Sequence, residues 1–519
     1  MTSVSDADVI IVGSGPAGVS AAWPLVEAGV RVLMLDAADT ELPASPTHAT
    51  LAHWRADPHR WQAEIGRDGA LADSAMSPKF ATPLARATLA GFDTAAGLST
   101  RDYVAVGALA AGGLSRIWGA LAARYGAEDL AAFPADLGPH YDRVARRIGV
   151  SGGDRPDPAA LTPPAARFAA RHMARRDGGF DLRAAPNAVL VGEEREGRGA
   201  CTACGLCLHG CARGSIYHAA AELPALRRFR HFTYRSGMRV ERLAGDAGMN
   251  VVEARAGAQS LRFAAPIVVL AAGTLMTTSL AVRRMGLAGR PLRLESNPVG
   301  GIAFLMPHLI GRALPDRSFG LGQLFYTLAT DAGVEAAGVF YGADTLPLAA
   351  IADRLPFTRA TALRAARALA PALLLATGYL PGRFSDNVLT IEEDGAAGRM
   401  TIRGHQTDTA TRLLRASFAQ LTRHARRRGA FGVPGSLQLL PPGADAHPAA
   451  TLPMGGIGPA ATDNMGALTN VPGVFVADGA ALPFLSARHP TLTIMANADR
   501  IAGALARRLC STPELRRAG

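Results

Sequence analysis

No stretch of eighteen clean apolar residues occurs in this 519-residue chain, so the length a helix needs to cross a bilayer is missing. The densest candidate, residues 365–380 (AARALAPALLLATGYL), is interrupted by Arg367 and Pro371. It is expected to be a helix of a substrate-binding region, with placement at a membrane interface as the alternative. A basic leader is missing too. The N-terminus carries Asp6 and Asp8 and passes directly into an apolar strand, which argues against a secretory signal and makes the cytoplasm the expected compartment, unless a partner subunit carries the chain out. Aromatic residues are scarce, at 6%. Acidic residues are outnumbered, 43 against 54 basic, for a net charge of +11. Such a balance admits nucleic acid or an anionic membrane as partner. However, no basic run is interleaved with aromatics, so a solvated arginine-rich surface and no nucleic-acid partner are expected. With 49% hydrophobic and 19% charged residues the chain is not disordered. It is too long for one core, and two closely joined domains are expected. No internal repeat is visible.

What is present begins at the N-terminus. Asp8 to Val12 (DVIIV) reads as a strand, followed by Gly13-Ser14-Gly15-Pro16-Ala17-Gly18 and a helix to about Ala28 in which Pro24 is expected to introduce a kink. Gly29 ends the helix, and Val30 to Leu35 forms a second strand closing on Asp36. Glycines in such a turn let the backbone approach a pyrophosphate, whose charge the helix N-terminus stabilises. Asp36, about twenty residues on, is placed to accept hydrogen bonds from an adenosine ribose. The motif predicts a bound dinucleotide and leaves FAD and NAD(P) open.

At the other end, His447 opens HPAATLPMGG, and His489 opens HPTLTIMANADRIA between an apolar strand (GVFVADGA) and a final helix. Imidazole titrates near neutrality, where a general base must work. Between the ends, residues 40–95 form an excursion from the dinucleotide fold. The run from Ala110 to Ala120 surrounds one large ring, Trp118, with small residues, which permits close approach to a flat ligand or to a neighbouring helix. Residues 231–273 read as a β-meander ending on the buried strand Ile267 to Gly273, and residues 301–432 as mixed strand and helix without motifs.

Four of five cysteines share one loop: Cys201, Cys204, Cys207 and Cys211, spaced C-x2-C-x2-C-x3-C. This is the spacing of a bacterial ferredoxin run, with Ala212 where proline often follows. An iron–sulfur cluster is expected. Structural or disulfide-bonded thiols and zinc are the alternatives; zinc ribbons bring two pairs together from a distance. His209 is either a ligand or, as expected, a solvated loop residue. Cys510 stands apart.

The glycine motif, GGLSRIWG, VVLAAGTLMTTSL, HPAATLPMG and the closing GVFVADGAALPFLSARHPTLTIMANADRIA occur in the order found in glucose–methanol–choline (GMC) oxidoreductases, and the chain resembles that family. The resemblance implies an α/β fold: a Rossmann-like FAD-binding domain and a discontinuous α+β substrate domain built on an antiparallel sheet. The expected boundaries are 1–40, 96–135, 231–300 and 436–519 for FAD binding, and 41–95, 136–230 and 301–435 for the substrate or cap domain, which includes the cysteine loop. It implies FAD rather than NAD, and oxidation of an alcohol or sugar CH–OH by hydride transfer to flavin N5. His447 and His489 then resemble the catalytic pair, one taking the hydroxyl proton and the other binding the substrate oxygen; His489 is taken as the base, with His447 the alternative. Asp478 falls where the family binds the ribityl chain, and Pro490 and Thr491 where it approaches the pyrimidine edge. Gly112, Gly113, Ser115, Trp118, Gly119, Ala272 and Gly479 complete the implied FAD contacts.

Ile117 stands where some relatives carry a flavin-bonded histidine, so the FAD is expected to be non-covalent. The cysteine loop is similar to that of bacterial FAD-dependent sugar dehydrogenases, although the spacing differs. It implies a 3Fe-4S or 4Fe-4S cluster passing electrons to an acceptor such as a cytochrome or small subunit. The resulting expectation is a dehydrogenase of a small-molecule alcohol or sugar. The alternatives are an oxygen-using oxidase of a lipophilic alcohol with structural cysteines, and a flavin-bearing subunit without turnover.

Overall fold

The computed structural model describes residues 2–3, 7–45, 51–57, 77–153, 160–175, 178–246, 248–394 and 398–511. Much of the expected excursion between 40 and 95 lies outside the described residues. One sheet is built from β1 (Val9–Val12), β2 (Val32–Leu35), β3 (Phe232–Arg235), β4 (Ile267–Leu270) and β5 (Val474–Val476). Helix α1 (Pro16–Glu27) joins β1 to β2, α2 (Thr274–Arg284) follows β4, and α3 (Thr491–Ser511) ends the unit. The strands run parallel in the order β5–β4–β1–β2–β3. Every residue of β1, β2, β4 and β5 is buried. That is why these segments are apolar without alternation: a parallel sheet is covered on both faces. α1 continues through Pro24 to Glu27, as the sequence led one to expect.

Two sequence readings need correction. The meander comprises only Arg239–Asp246, Met249–Ala256 and Gln259–Ala265. Its flanking strands β3 and β4 leave to join the parallel sheet, because the fully apolar IVVL of β4 requires two covered faces, whereas the meander buries alternate residues. The second correction concerns residues 365–380. The helix there, Arg359–Leu369, stops before Pro371, and Leu373–Tyr379 is a strand buried at alternate positions. Pro371 cannot continue a helix, since it lacks the amide and its ring meets the preceding turn.

That strand lies inside an antiparallel sheet in the order Phe431–Gly432, Val299–Leu305, Leu373–Tyr379, Glu335–Gly342, Leu324–Ala329 and Phe180–Ala184. The helix Asp408–Arg427 covers it, burying Leu414, Phe418, Leu421 and Ala425 in one core with Phe304, Tyr326 and Phe340. Its first turn is capped by the Thr407 hydroxyl, which accepts from the Ala410 amide at 3.1 Å. Among the described residues no helix is long and apolar enough to cross a membrane.

Candidate functional site

At the carboxyl end of β1 the chain must turn sharply beside β4. Gly13 takes φ +99°, and a Cβ there would stand 2.5 Å from the Ala271 carbonyl oxygen. A Cβ at Gly18 would lie 1.9 Å from the Gly13 oxygen, so α1 sits on the turn with no room for a side chain. Gly15, the N-cap of α1, differs: a Cβ there meets nothing within 4 Å. Pro16 and Ala17 open the helix behind it. Space kept open before uncapped helix amides fits a pyrophosphate.

Ser14, which no motif argument singled out, ties three segments together. Its amide donates to the Asp36 carboxylate at 2.6 Å, and its hydroxyl accepts from the Gly112 amide at 3.0 Å. Asp36 also accepts from the Ala38 amide at 2.8 Å, and burial raises its carboxyl above the ordinary value against those hydrogen bonds.

The segment around Trp118 lies against this loop, since a Cβ on Gly113 would be 3.5 Å from the Gly15 Cα. Ser115 hydroxyl accepts from the Ala219 amide at 2.9 Å, and the Trp118 indole donates to the Tyr217 carbonyl at 2.7 Å. Beside Gly119 the space is open for 4 Å. Ile117 is buried with Leu84 and Ala85, so this position presents only hydrocarbon. After β4, the Ala272 amide donates to the Thr277 hydroxyl at 3.1 Å, which donates to Asp478 at 2.5 Å. Asp478 also accepts from the Ala480 amide, and burial lifts its carboxyl to about 6. Gly479 packs so closely on α2 that a Cβ would be 2.6 Å from the Thr274 hydroxyl. These residues form one continuous lining along the strand ends, and it fits a dinucleotide.

The two histidines come together from different connections. His447 lies in a loop whose flanking residues, Ala446 and Ala450, both take φ +58°, a conformation that costs an L-residue roughly 1–2 kcal/mol. The loop is held by the Thr274 hydroxyl, which donates to the Pro448 carbonyl at 2.6 Å, and by paired amide bonds between Glu295 and Ala449. His489 immediately precedes Pro490 and Thr491, where α3 begins. The imidazole centroids are 5.1 Å apart with planes at 75°, and the Tyr379 ring lies 4.7 Å from His489 and 5.9 Å from His447.

Burial pulls the His489 imidazole down to about 4; burial, then the neighbouring His489, holds His447 well below its ordinary value. Among the described residues His489 Nδ1 is buried without a hydrogen-bond partner. His447 Nδ1 is 3.0 Å from Asn297 Oδ1, and the Asn297 amide donates to Asp445 at 2.6 Å. Burial raises the Asp445 carboxyl to about 7. Tyr379, at the end of a strand, and Asn297, in the connection before Val299–Leu305, carry no motif in the sequence. Asp445 lies only two residues before His447, so its proximity is the one local signal for this network.

The cysteine loop packs beside the segment around Trp118. Among the described residues no group of three or more His, Cys, Asp or Glu is arranged to hold a metal ion, and the cysteines are free thiols. Cys204 pairs with Ser318 across a bridge, Cys201 Sγ accepts from the Ala203 amide, and Cys207 alone is buried, its thiol pushed up to about 12 by burial. The backbone therefore ties the thiols to different neighbours. Lys79, also buried, feels Cys207 and Cys211, and its ammonium, drawn down to about 8 by burial, donates to the Trp118 carbonyl at 2.7 Å. His209 is buried, not solvated; it lines a cavity with Leu51, Arg55 and Thr345. Cys510 is exposed at the far end of α3.

Comparison with known proteins agrees with this geometry. The model of an FAD binding domain matches residues 6–55, and that of the GMC oxidoreductase C-terminal region matches residues 386–498. Paromamine 6'-oxidase of Streptomyces fradiae is 26% identical over 542 residues, covering 97% of this chain and 92% of the relative. The 6'''-hydroxyparomomycin C oxidase of Streptomyces lividus is 30% identical over 201 residues, covering 35% and 34%. Pyridoxine 4-oxidase from Mesorbium loti has a similar fold, with a TM-score of 0.61 at 18% identity over 98% of this chain and 99% of that one. With the glycine turn, the strand-end lining and the paired imidazoles in place, the chain carries an FAD binding domain and the C-terminal region of a GMC oxidoreductase.

Proposed function

We propose that this enzyme oxidises a CH–OH carbon of a small alcohol or sugar, in the cytoplasm, with His447 and His489 as its catalytic residues. The observation that carries this reading is the pair of partly buried imidazoles 5.1 Å apart, beside the strand ends proposed to line the dinucleotide site. FAD, when bound, supplies the acceptor for two electrons from carbon. The residues proposed to hold it are Gly13, Gly15, Pro16, Ala17, Gly18 and Asp36 at the adenosine end, with Gly112, Gly113, Ser115, Trp118, Gly119, Ala272, Asp478, Gly479, Pro490 and Thr491 along the rest. Burial keeps both imidazoles neutral at pH 7, so one can take the hydroxyl proton while the other binds the alcohol oxygen. Tyr379 packs its ring against both imidazoles.

The test is anaerobic addition of paromamine, pyridoxine and a panel of primary and secondary alcohols, followed by the flavin absorbance. Bleaching by a member of the panel supports the reading; flavin-loaded protein that stays oxidised throughout overturns it. Acid precipitation checks the attachment. With Ile117 buried in hydrocarbon, the yellow colour is expected in the supernatant, and colour in the pellet would refute non-covalent binding.

Oxygen is the proposed electron acceptor, because the relatives carry the name oxidase. The second reading is an iron–sulfur relay to a cytochrome or small subunit. It is favoured by one observation: Cys201 lies within electrostatic reach of Cys204 and Cys211, and Cys207 within reach of Cys201 and Cys204. Metal and acid-labile sulfide analysis of anaerobically purified protein separates the two. Iron-free protein releasing one peroxide per substrate oxidised is expected, and iron with a paramagnetic signal would establish the relay instead.

A further inference from the structure

The side chain of Asn297 has a forced orientation. Its Nδ2 lies 2.7 Å from both the Leu380 and the Ser486 carbonyl oxygens. Carbonyls only accept, so the nitrogen must face them and the oxygen must face the other way. That oxygen is 3.0 Å from His447 Nδ1. It too only accepts, so Nδ1 carries the hydrogen and a neutral ring leaves Nε2 with a bare lone pair. The Asn297 backbone is anchored in turn, its amide donating to Asp445. Asp445 itself stands 3.7 Å from His447 Nδ1, too far to compete for that hydrogen. His489 has no such partner, since its Nδ1 is unengaged among the described residues.

We propose that Asn297 is the positioning residue of the reaction: by accepting from Nδ1 it fixes His447 in the tautomer whose Nε2 takes the substrate hydroxyl proton. This rests on the reading of the histidine pair above and moves the base from His489, as expected from sequence, to His447. His489, free to rotate its proton between nitrogens, binds the alcohol oxygen.

The tautomer is read directly from a long-range proton–nitrogen correlation spectrum of the holoenzyme labelled with 15N-histidine, with His447 assigned by its loss in His447→Gln. A protonated Nδ1 and a bare Nε2 are expected; a protonated Nε2, or rapid averaging, overturns the proposal. In Asn297→Ala the ring is expected to average between tautomers, and the limiting rate of flavin reduction to fall about 10²–10⁴-fold at an unchanged half-saturating substrate concentration. If Asn297→Ala only lowers the melting temperature and reduces flavin at the wild-type rate, the residue is structural and the proposal fails. Should that variant not fold, the wild-type spectrum decides alone. Wild-type flavin reduction in His447→Ala would instead remove the underlying reading. An inactive His447→Ala with a protonated Nε2 in the parent removes only the role of Asn297.

Discussion

Replacing His447 with Ala is expected to slow anaerobic flavin reduction by about 10²–10⁴-fold, the usual contribution of a positioned base, while the flavin stays bound. The two effects separate because the loop that carries His447 is fixed independently by the Thr274–Pro448 and Glu295–Ala449 hydrogen bonds. Stopped-flow absorbance gives the rate, and the flavin-to-protein ratio gives the loading. A variant reducing flavin at the wild-type rate would end the assignment. The same burial sets the pH dependence. The base works only while neutral, so the acid limb of flavin reduction is expected below the ordinary imidazole value of 6.5. Stability carries the matching sign. Between about 4 and 6.5 an unfolded chain protonates His489 and the folded one does not, so this contribution is lost as pH falls through that window. Asp445 acts oppositely. Its folded carboxyl keeps a proton up to about 7, so its contribution weakens as pH rises from the ordinary carboxyl range toward 7.

What could be read from the sequence follows from how local each signal is. The turn from Gly13 to Gly18 was legible because strand, glycines, helix and terminal acid all fall within one short segment, and Gly13 and Gly18 answer nearby steric demands. His447 and His489 were legible as candidates, since their flanking strings carry the family resemblance. Their partners were not. Asn297 reaches His447 across 150 positions, and Tyr379 reaches both rings from the end of a strand that itself was read as helix. The positive φ at Ala446 and Ala450 had no sequence cue, because alanine is not the residue that such backbone favours. The cysteine spacing is a local signal, whereas the surroundings of the thiols are set at long range. The bridge from Cys204 to Ser318 and the burial of Cys207 are set by segments more than a hundred residues away in sequence.

Gly18→Ala is expected to yield protein almost devoid of flavin, whereas Gly15→Ala should fold normally and lose only cofactor affinity. The two glycines are three residues apart in one turn, yet their surroundings differ completely. A Cβ on Gly18 would press to 1.9 Å on the Gly13 carbonyl oxygen. That carbonyl cannot swing aside, because the Gly13 amide donates to Leu35 at 2.8 Å and its own Cα faces the Ala271 backbone. Relief must come from lifting α1 off β1. Overpacking of this kind costs about 1–3 kcal/mol, and here it also displaces the helix amides from the pyrophosphate. At Gly15 the added methyl meets no protein atom within 4 Å, so only a group arriving from outside can feel it. Thermal unfolding of both apoproteins, with flavin titration of each, distinguishes the cases. A Gly15→Ala protein that binds FAD as tightly as wild type would mean the open space before α1 is not where the pyrophosphate lies, and the lining drawn along the strand ends would have to be redrawn from that point outward.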